Sequence, residues 1–270
     1  MATEQTTLTP PNVRECVFRS HALGREMHYR AVLPADYDND PSKHFPVLHL
    51  LHGLYGDWTN WTTLTQLPRY AERLPLIIVT PDAGNYWYVN SATDPQNRFE
   101  DYIWSDFIPE VEHRFRTIRD RKARIIAGLS MGGYGAVKFA LKHPDFFAIA
   151  ASFSGTFDAA LGLHIERPEF APYLLAAFGP EGSQTRRDND VFALSQGIGP
   201  SSAPYLYLSC GESDELLESN RRFAATLAER GFRHEYHEQP GAHDWIYWDK
   251  QVKKLLSCDL IKTLSRLRLS

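Results

Sequence analysis

Short, nearly continuous apolar runs recur along the chain at 45–51, 76–80, 124–129, 148–153 and 205–209. Runs of this length, bounded by Gly and Pro, suit parallel strands covered on both faces. Between them the spacing turns helical. Ile103, Phe107, Ile108, Val111 and Phe115 share one helical face, Ala136, Val137, Phe139 and Ala140 another, and Phe223, Leu227 and Ala228 a third. Pro144 after His143 and Gly231 after Arg230 supply stops for two of these helices. Strands alternating with helices predict a doubly wound α/β sheet. The segments 13–20 and 27–33 instead alternate apolar with polar residues, the pattern of half-exposed strands paired as an antiparallel edge. His234 and His237 sit on a similar alternating stretch near the end.

One stretch breaks the rhythm. Residues 156–200 are rich in Pro and Gly and carry the polar run GSQTRRDND at 182–190. The expectation is a lid-like excursion over the carboxyl ends of the strands, against the plainer alternative of a crossover helix at 169–178 with a long loop. The Thr- and Pro-rich residues 1–12 are expected to form a loose tail, leaving 13–270 as a single domain.

Composition narrows the partners. Lys plus Arg at 29 against Asp plus Glu at 33 gives a net charge of −4, which offers no broad cationic face for nucleic acid or an anionic membrane. No apolar run reaches membrane-spanning length, and the N-terminus shows no basic segment followed by an apolar one, so the expected location is cytoplasmic. Three widely spaced cysteines, Cys16, Cys210 and Cys258, match neither a disulfide framework nor a metal-binding spacing, and no metal or cofactor is expected.

Chemistry enters with Gly128-Leu129-Ser130-Met131-Gly132, a G-x-S-x-G sequence that follows an apolar strand run and opens a helical pattern. A serine at a sharp strand-to-helix turn needs small neighbours two residues before and after it, and the turn lifts its hydroxyl above the sheet. Ser130 is therefore the candidate nucleophile, and the Met131 N–H, at the positive end of the helix, a candidate donor to an oxyanion. A serine hydroxyl needs a base, and the base needs an orienting acid, which in this fold follow in the order Ser, acid, His. Directly after the 205–209 run come Glu212, Asp214 and Glu215. Asp214 is the preferred acid, with the two glutamates as rivals. Among eleven histidines, His243 is the candidate base, since it lies on the loop Pro240-Gly241-Ala242-His243-Asp244 between the last strand and an amphipathic helix that Asp244 would cap. A second oxyanion donor is expected from the loop Leu51-His52-Gly53-Leu54-Tyr55-Gly56-Asp57, with Leu54 preferred over Gly53 and His52 holding the loop in shape. Trp87 and Tyr88, beyond the fourth strand, are candidates to line a substrate pocket, whereas Trp245 and Trp248 read as core anchors of the last helix.

The segments LLHGLYGDWTNW, PDAGNYWYVN, GLSMGGYGA, CGESDELLESNRRF and GAHDWIYW, in this order, resemble the esterase D superfamily of α/β-hydrolases, over roughly residues 13–256. That group includes tributyrin-type esterases, S-formylglutathione hydrolases, feruloyl esterases and mycolyltransferases. The HG-L-x-G-D sequence followed by Trp61, and H-D-W-x-Y-W at the base, look most like the tributyrin esterase branch. The resemblance implies Ser130, Asp214 and His243 as a triad and Leu54 with Met131 as oxyanion donors. The expected function is a serine carboxylesterase acting on short-chain acyl esters through an acyl-enzyme. The alternatives are S-formylglutathione or feruloyl-type hydrolysis, acyl transfer, and an inactive hydrolase fold used for binding. The expected partner is a small-molecule ester, with a homo-oligomer as a further expectation by resemblance.

Overall fold

A computed structural model describes residues 10–162, 169–259 and 261. Eight strands form one sheet in the order β1-β2-β4-β3-β5-β6-β7-β8: β1 Val13–Arg19, β2 Glu26–Val32, β3 Val47–Leu51, β4 Ile77–Pro81, β5 Arg124–Leu129, β6 Ile149–Phe153, β7 Tyr205–Gly211 and β8 His234–Gln239. β2 pairs antiparallel with both β1 and β4, and every pairing from β4 onward is parallel. The hydropathy pattern explains the placement. The mainly apolar β3, β4, β5 and β6 are buried at every residue, including His49, Thr80, Arg124 and Ser152, and β1 and β8 at the two edges mix buried or half-buried with exposed positions. The His and Glu side chains of β8 also discourage pairing of that edge with another chain.

Ten helices, α1 Asn60–Thr63, α2 Leu67–Ala71, α3 Phe99–Asp101, α4 Ile108–Arg114, α5 Met131–Lys142, α6 Ala171–Phe178, α7 Gln184–Asn189, α8 Val191–Gly197, α9 Leu217–Glu229 and α10 Trp245–Ser257, surround the sheet among the described residues. One core cluster, with Tyr29, Phe107, Val137, Phe147 and Phe223, and another, with Trp61, Ile125, Phe153, Trp248 and Leu255, fill the space between sheet and helices. Ile103 and Phe107 lie on a widened π-helical turn, Tyr102–Phe107, that leads into α4. α9 stops where Gly231 takes φ +72°, and α5 at His143, before Pro144.

The excursion has more regular structure than its composition predicts. The polar run contains α7, because the Ser183 side chain accepts the Arg186 N–H and starts a helical turn. The apolar stretch before it forms α6, which coincides with the alternative helix at 169–178 apart from its first two residues. Residues 163–168 of the excursion and 1–9 of the expected tail lie outside the described residues. Asn12 is tied to the fold, its amide donating to Pro68 O at 2.9 Å and its carbonyl accepting from Leu33 N at 2.8 Å. No helix among the described residues is long and apolar enough to cross a membrane, and Cys16 and Cys210 are free, buried thiols.

Candidate active site

Ser130 occupies the single residue between β5 and α5, with φ +51° and ψ −118°. Its N–H donates to Phe153 O on the neighbouring strand at 2.9 Å, which anchors the turn in the sheet. The flanking glycines are required by backbone contact. A Cβ on Gly128 would stand 2.4 Å from the Gly132 carbonyl, and one on Gly132 would stand 2.5 Å from the carbonyl oxygens of Leu51 and His52. No side chain of any size fits either place, so the sequence pattern follows from how closely α5 lies on β3 and β5.

His243 reaches this turn from the loop between β8 and α10. A Cβ on Gly211 would lie 2.5 Å from Gly241 O, so the loop carrying His243 packs backbone to backbone against the end of β7. His243 Nε2 is 3.0 Å from Ser130 Oγ, and Nδ1 is 3.1 and 3.0 Å from the two Asp214 carboxylate oxygens. The carboxylate has no proton to give, so Nδ1 must carry the hydrogen and Nε2 is left free to accept from the serine hydroxyl. Burial alone would raise the Asp214 carboxyl, but hydrogen bonds from His243, Ser154 and the Leu216 N–H outweigh it and hold the group below the usual carboxylate range. Of the three candidate acids only Asp214 meets the imidazole. Glu212 is exposed, and Glu215 lies at the rim of the cavity in front of Ser130. Asp244 caps α10, its Oδ1 accepting the Tyr247 N–H at 2.8 Å.

The loop after β3 is held by His52, which is buried. The Ala83 N–H donates to its Nε2 at 2.9 Å, so Nδ1 carries the hydrogen and donates to Gly53 O at 2.8 Å. Burial depresses the His52 pKa and keeps this tautomer neutral. The Gly56 N–H also donates to Gly53 O, at 3.1 Å. In a trans peptide the C=O and the following N–H point in opposite directions, so fixing Gly53 O on one side turns the Leu54 N–H to the other. Met131, first residue of α5, carries one of the N-terminal donors that a helix leaves without an internal partner.

Ser130 and His243 open on a cavity of about 560 Å³, within the range of small-molecule sites. Gly53, Leu54, Leu64, Trp87, Leu129, Thr156, Leu216, Trp245 and Trp248 line it, with Phe170 and Leu174 from the excursion. Trp87 is therefore at the cavity wall, and Tyr88 is not. Tyr88 is fully buried, and its hydroxyl donates to His52 O at 2.9 Å, behind the loop after β3. Trp245 and Trp248 pack in the core as expected but also face the cavity, and Trp248 stands edge-on to the His243 ring at 4.9 Å. No sequence signal distinguished these tryptophans from ordinary anchors. At the mouth, exposed Tyr55 contacts the rings of Phe170 and Tyr173 at 6.3 and 5.5 Å.

A parallel sheet with one antiparallel edge, and a serine on a left-handed turn between its central strand and a helix, define an α/β-hydrolase. The chain belongs to the Esterase family, whose model, described as "Putative esterase", matches residues 20–256. It is 30% identical over 252 residues to Esterase Rv1288 of Mycobacterium tuberculosis, which covers 84% of this chain and 54% of that protein, so the chain spans about half of that relative's length. It is 28% identical over 248 residues to the Acetyl esterase of Caldicellulosiruptor saccharolyticus, covering 87% of this chain and 93% of that one. Among solved structures, FphF, a fluorophosphonate-binding serine hydrolase of Staphylococcus aureus, matches with a TM-score of 0.83 at 28% identity, over 94% of this chain and 98% of its own.

Proposed function

We propose that this protein is a serine carboxylesterase that hydrolyses short-chain acyl esters through a Ser130–His243–Asp214 triad. The observation that carries the reading is the unbroken hydrogen-bonded line from Asp214 through His243 to Ser130 Oγ, opening on an apolar cavity of about 560 Å³. His243 Nε2 takes the Ser130 proton as Oγ bonds to the ester carbonyl carbon. The carbonyl oxygen, now negative, sits between the Leu54 and Met131 N–H groups. His243 returns the proton to the departing alcohol, leaving the acyl group on Ser130, and a water activated by the same imidazole releases the acid. The cavity size and the aromatic wall at Trp87 favour a small acyl group, and Phe170 with Leu174 give the excursion a share in choosing the substrate. The acetyl ester specificity in the name of the Caldicellulosiruptor relative supports the same substrate class.

The test is Ser130→Ala with p-nitrophenyl esters from C2 to C12. Wild type is expected to prefer the shortest chains, and the variant to lose turnover by a factor on the order of 10⁴ or more while keeping its melting temperature. Turnover retained in Ser130→Ala, or a preference for the longest chains, refutes the proposal.

A further inference from the structure

Five non-glycine residues among those described adopt a left-handed backbone: Tyr55 (φ +63°), Trp87 (+56°), Tyr88 (+57°), Ser130 (+51°) and Ser154 (+53°). Such conformations persist only where the surroundings over-determine them, and they collect at functional sites. Three of the five line the cavity, and Tyr88 braces the His52 carbonyl. Ser154 does neither. It lies one residue beyond β6, fully buried, with its N–H donating to Ser209 O at 2.7 Å, so the sheet ladder is extended by one bond before the chain turns.

That turn aims the side chain at the two groups behind Ser130. The Ser154 hydroxyl stands beside the Asp214 carboxyl and helps hold it below the usual carboxylate range. Its oxygen accepts the Trp248 indole N–H at 3.4 Å, and the Trp248 ring stands at 88° to the His243 ring with centroids 4.9 Å apart. A hydroxyl has one hydrogen to donate and two lone pairs, and the ionised carboxylate is the strongest acceptor within reach. The oxygen therefore accepts from Trp248, and the hydrogen is left for Asp214.

We infer that Ser154 is a positioning residue of the triad, fixing the Asp214 carboxylate directly and the His243 ring through Trp248. The inference rests on the reading of Ser130, His243 and Asp214 as catalytic. Of the neighbouring titratable groups, burial pushes the Cys210 thiol up to about 12. Burial likewise raises the Tyr247 hydroxyl, and an ion pair with Arg221 holds Glu238 low. None of these three changes charge between pH 5 and 8. Glu215 stands at the cavity rim.

The experiment compares Ser154→Gly and Ser154→Ala with wild type, using p-nitrophenyl acetate across pH 5 to 9. Both variants delete the hydroxyl, but glycine accepts the left-handed backbone without strain, so it keeps the test valid if the alanine variant folds poorly. The expected result is a loss in kcat of about tenfold in both, the scale of one hydrogen bond to a charged group, with KM within about twofold. Because the Asp214 carboxylate then lacks one of the groups that stabilise its charge, the acid limb of kcat/KM should move upward. Wild-type kcat and an unmoved acid limb in Ser154→Gly overturn the inference, as does a loss confined to Ser154→Ala, which would trace to backbone strain alone. Ser130→Ala assayed alongside separates the two failures: if that variant retains turnover the triad reading falls, and if it is dead while Ser154→Gly behaves as wild type, only the role of Ser154 falls.

Discussion

On the proposed function, the His52→Leu substitution isolates how the loop after β3 is aimed at an oxyanion. Leucine is close to histidine in size and removes both polar contacts: the Nδ1–H donated to Gly53 O at 2.8 Å and the Nε2 acceptor for the Ala83 N–H at 2.9 Å. Ala83 is fully buried, so its N–H is left without a partner, at a cost of about 2 kcal/mol. For a chain of this size that corresponds to a fall in Tm of roughly 4–8 °C. The catalytic effect is separate. Gly53 O keeps only the Gly56 N–H at 3.1 Å, the peptide between Gly53 and Leu54 is free to rotate, and the Leu54 N–H no longer points reliably at the developing negative charge. Loss of one such donor lowers kcat by about 10²–10³, or roughly 3–4 kcal/mol of transition-state stabilisation, whereas the ground-state ester is bound almost as before. Steady-state hydrolysis of p-nitrophenyl acetate should therefore show kcat down about 100-fold and KM changed by less than about threefold. A lowered Tm with kcat within threefold of wild type would refute the argument, because the amide would then be placed by packing against β5 and not by the histidine.

Two further outcomes concern stability. Burial alone would raise the Glu100 carboxyl, but Lys138 and Lys142, each 2.7 Å away, outweigh it and hold the group down to about 2 against an ordinary 4.5. A carboxyl with a depressed folded-state pKa contributes stability above its unfolded value, and that contribution is lost as pH falls from about 4.5 toward 2. Urea unfolding from pH 6 to 2.5 should show a shallower acid loss in Glu100→Gln than in wild type, and parallel curves would count against the ion pairs. His49 is buried in β3 between Phe107 and Phe147, with neither ring nitrogen hydrogen-bonded among the described residues, and burial holds it neutral with a pKa of about 3. His49→Leu should raise Tm by several degrees, since each buried polar atom without a partner costs about 1–3 kcal/mol; a lowered Tm would mean that the imidazole has a partner in solution.

The sheet was legible because most of its strands are short and either wholly apolar or regularly alternating, and the observed ends fall within about two residues of the expected ones. Ser130, Asp214 and His243 were legible for a different reason. Each sits on a turn between a strand and the helix that follows it, where Gly128 with Gly132, and Gly211 with Gly241, mark close backbone approaches. What stayed hidden depends on side-chain direction across elements distant in sequence. Trp87 and Tyr88 are adjacent and chemically alike, yet one faces the cavity and the other the back of the oxyanion loop, because two consecutive left-handed residues break the alternation that would have sorted them. Ser154 looks like any strand-end serine until its backbone turns. The helix at 184–189 was masked by a polar composition that carries no apolar stripe, since its stability starts from the Ser183 cap.

The close contact of Gly132 with the carbonyls of Leu51 and His52 separates two kinds of inheritance in this molecule. Leu51 and Gly128 are register partners in adjacent parallel strands, so Ser130, the proposed nucleophile, and the loop proposed to hold the oxyanion descend from one rigid joint in the sheet. A change there alters bond-making itself. Phe170 and Leu174 reach the same cavity from a segment that contributes no strand to that joint. If the proposed function holds, variation in that segment can redraw the list of accepted esters while the reacting atoms keep their spacing, which gives a lineage built on this plan a way to change diet without relearning chemistry.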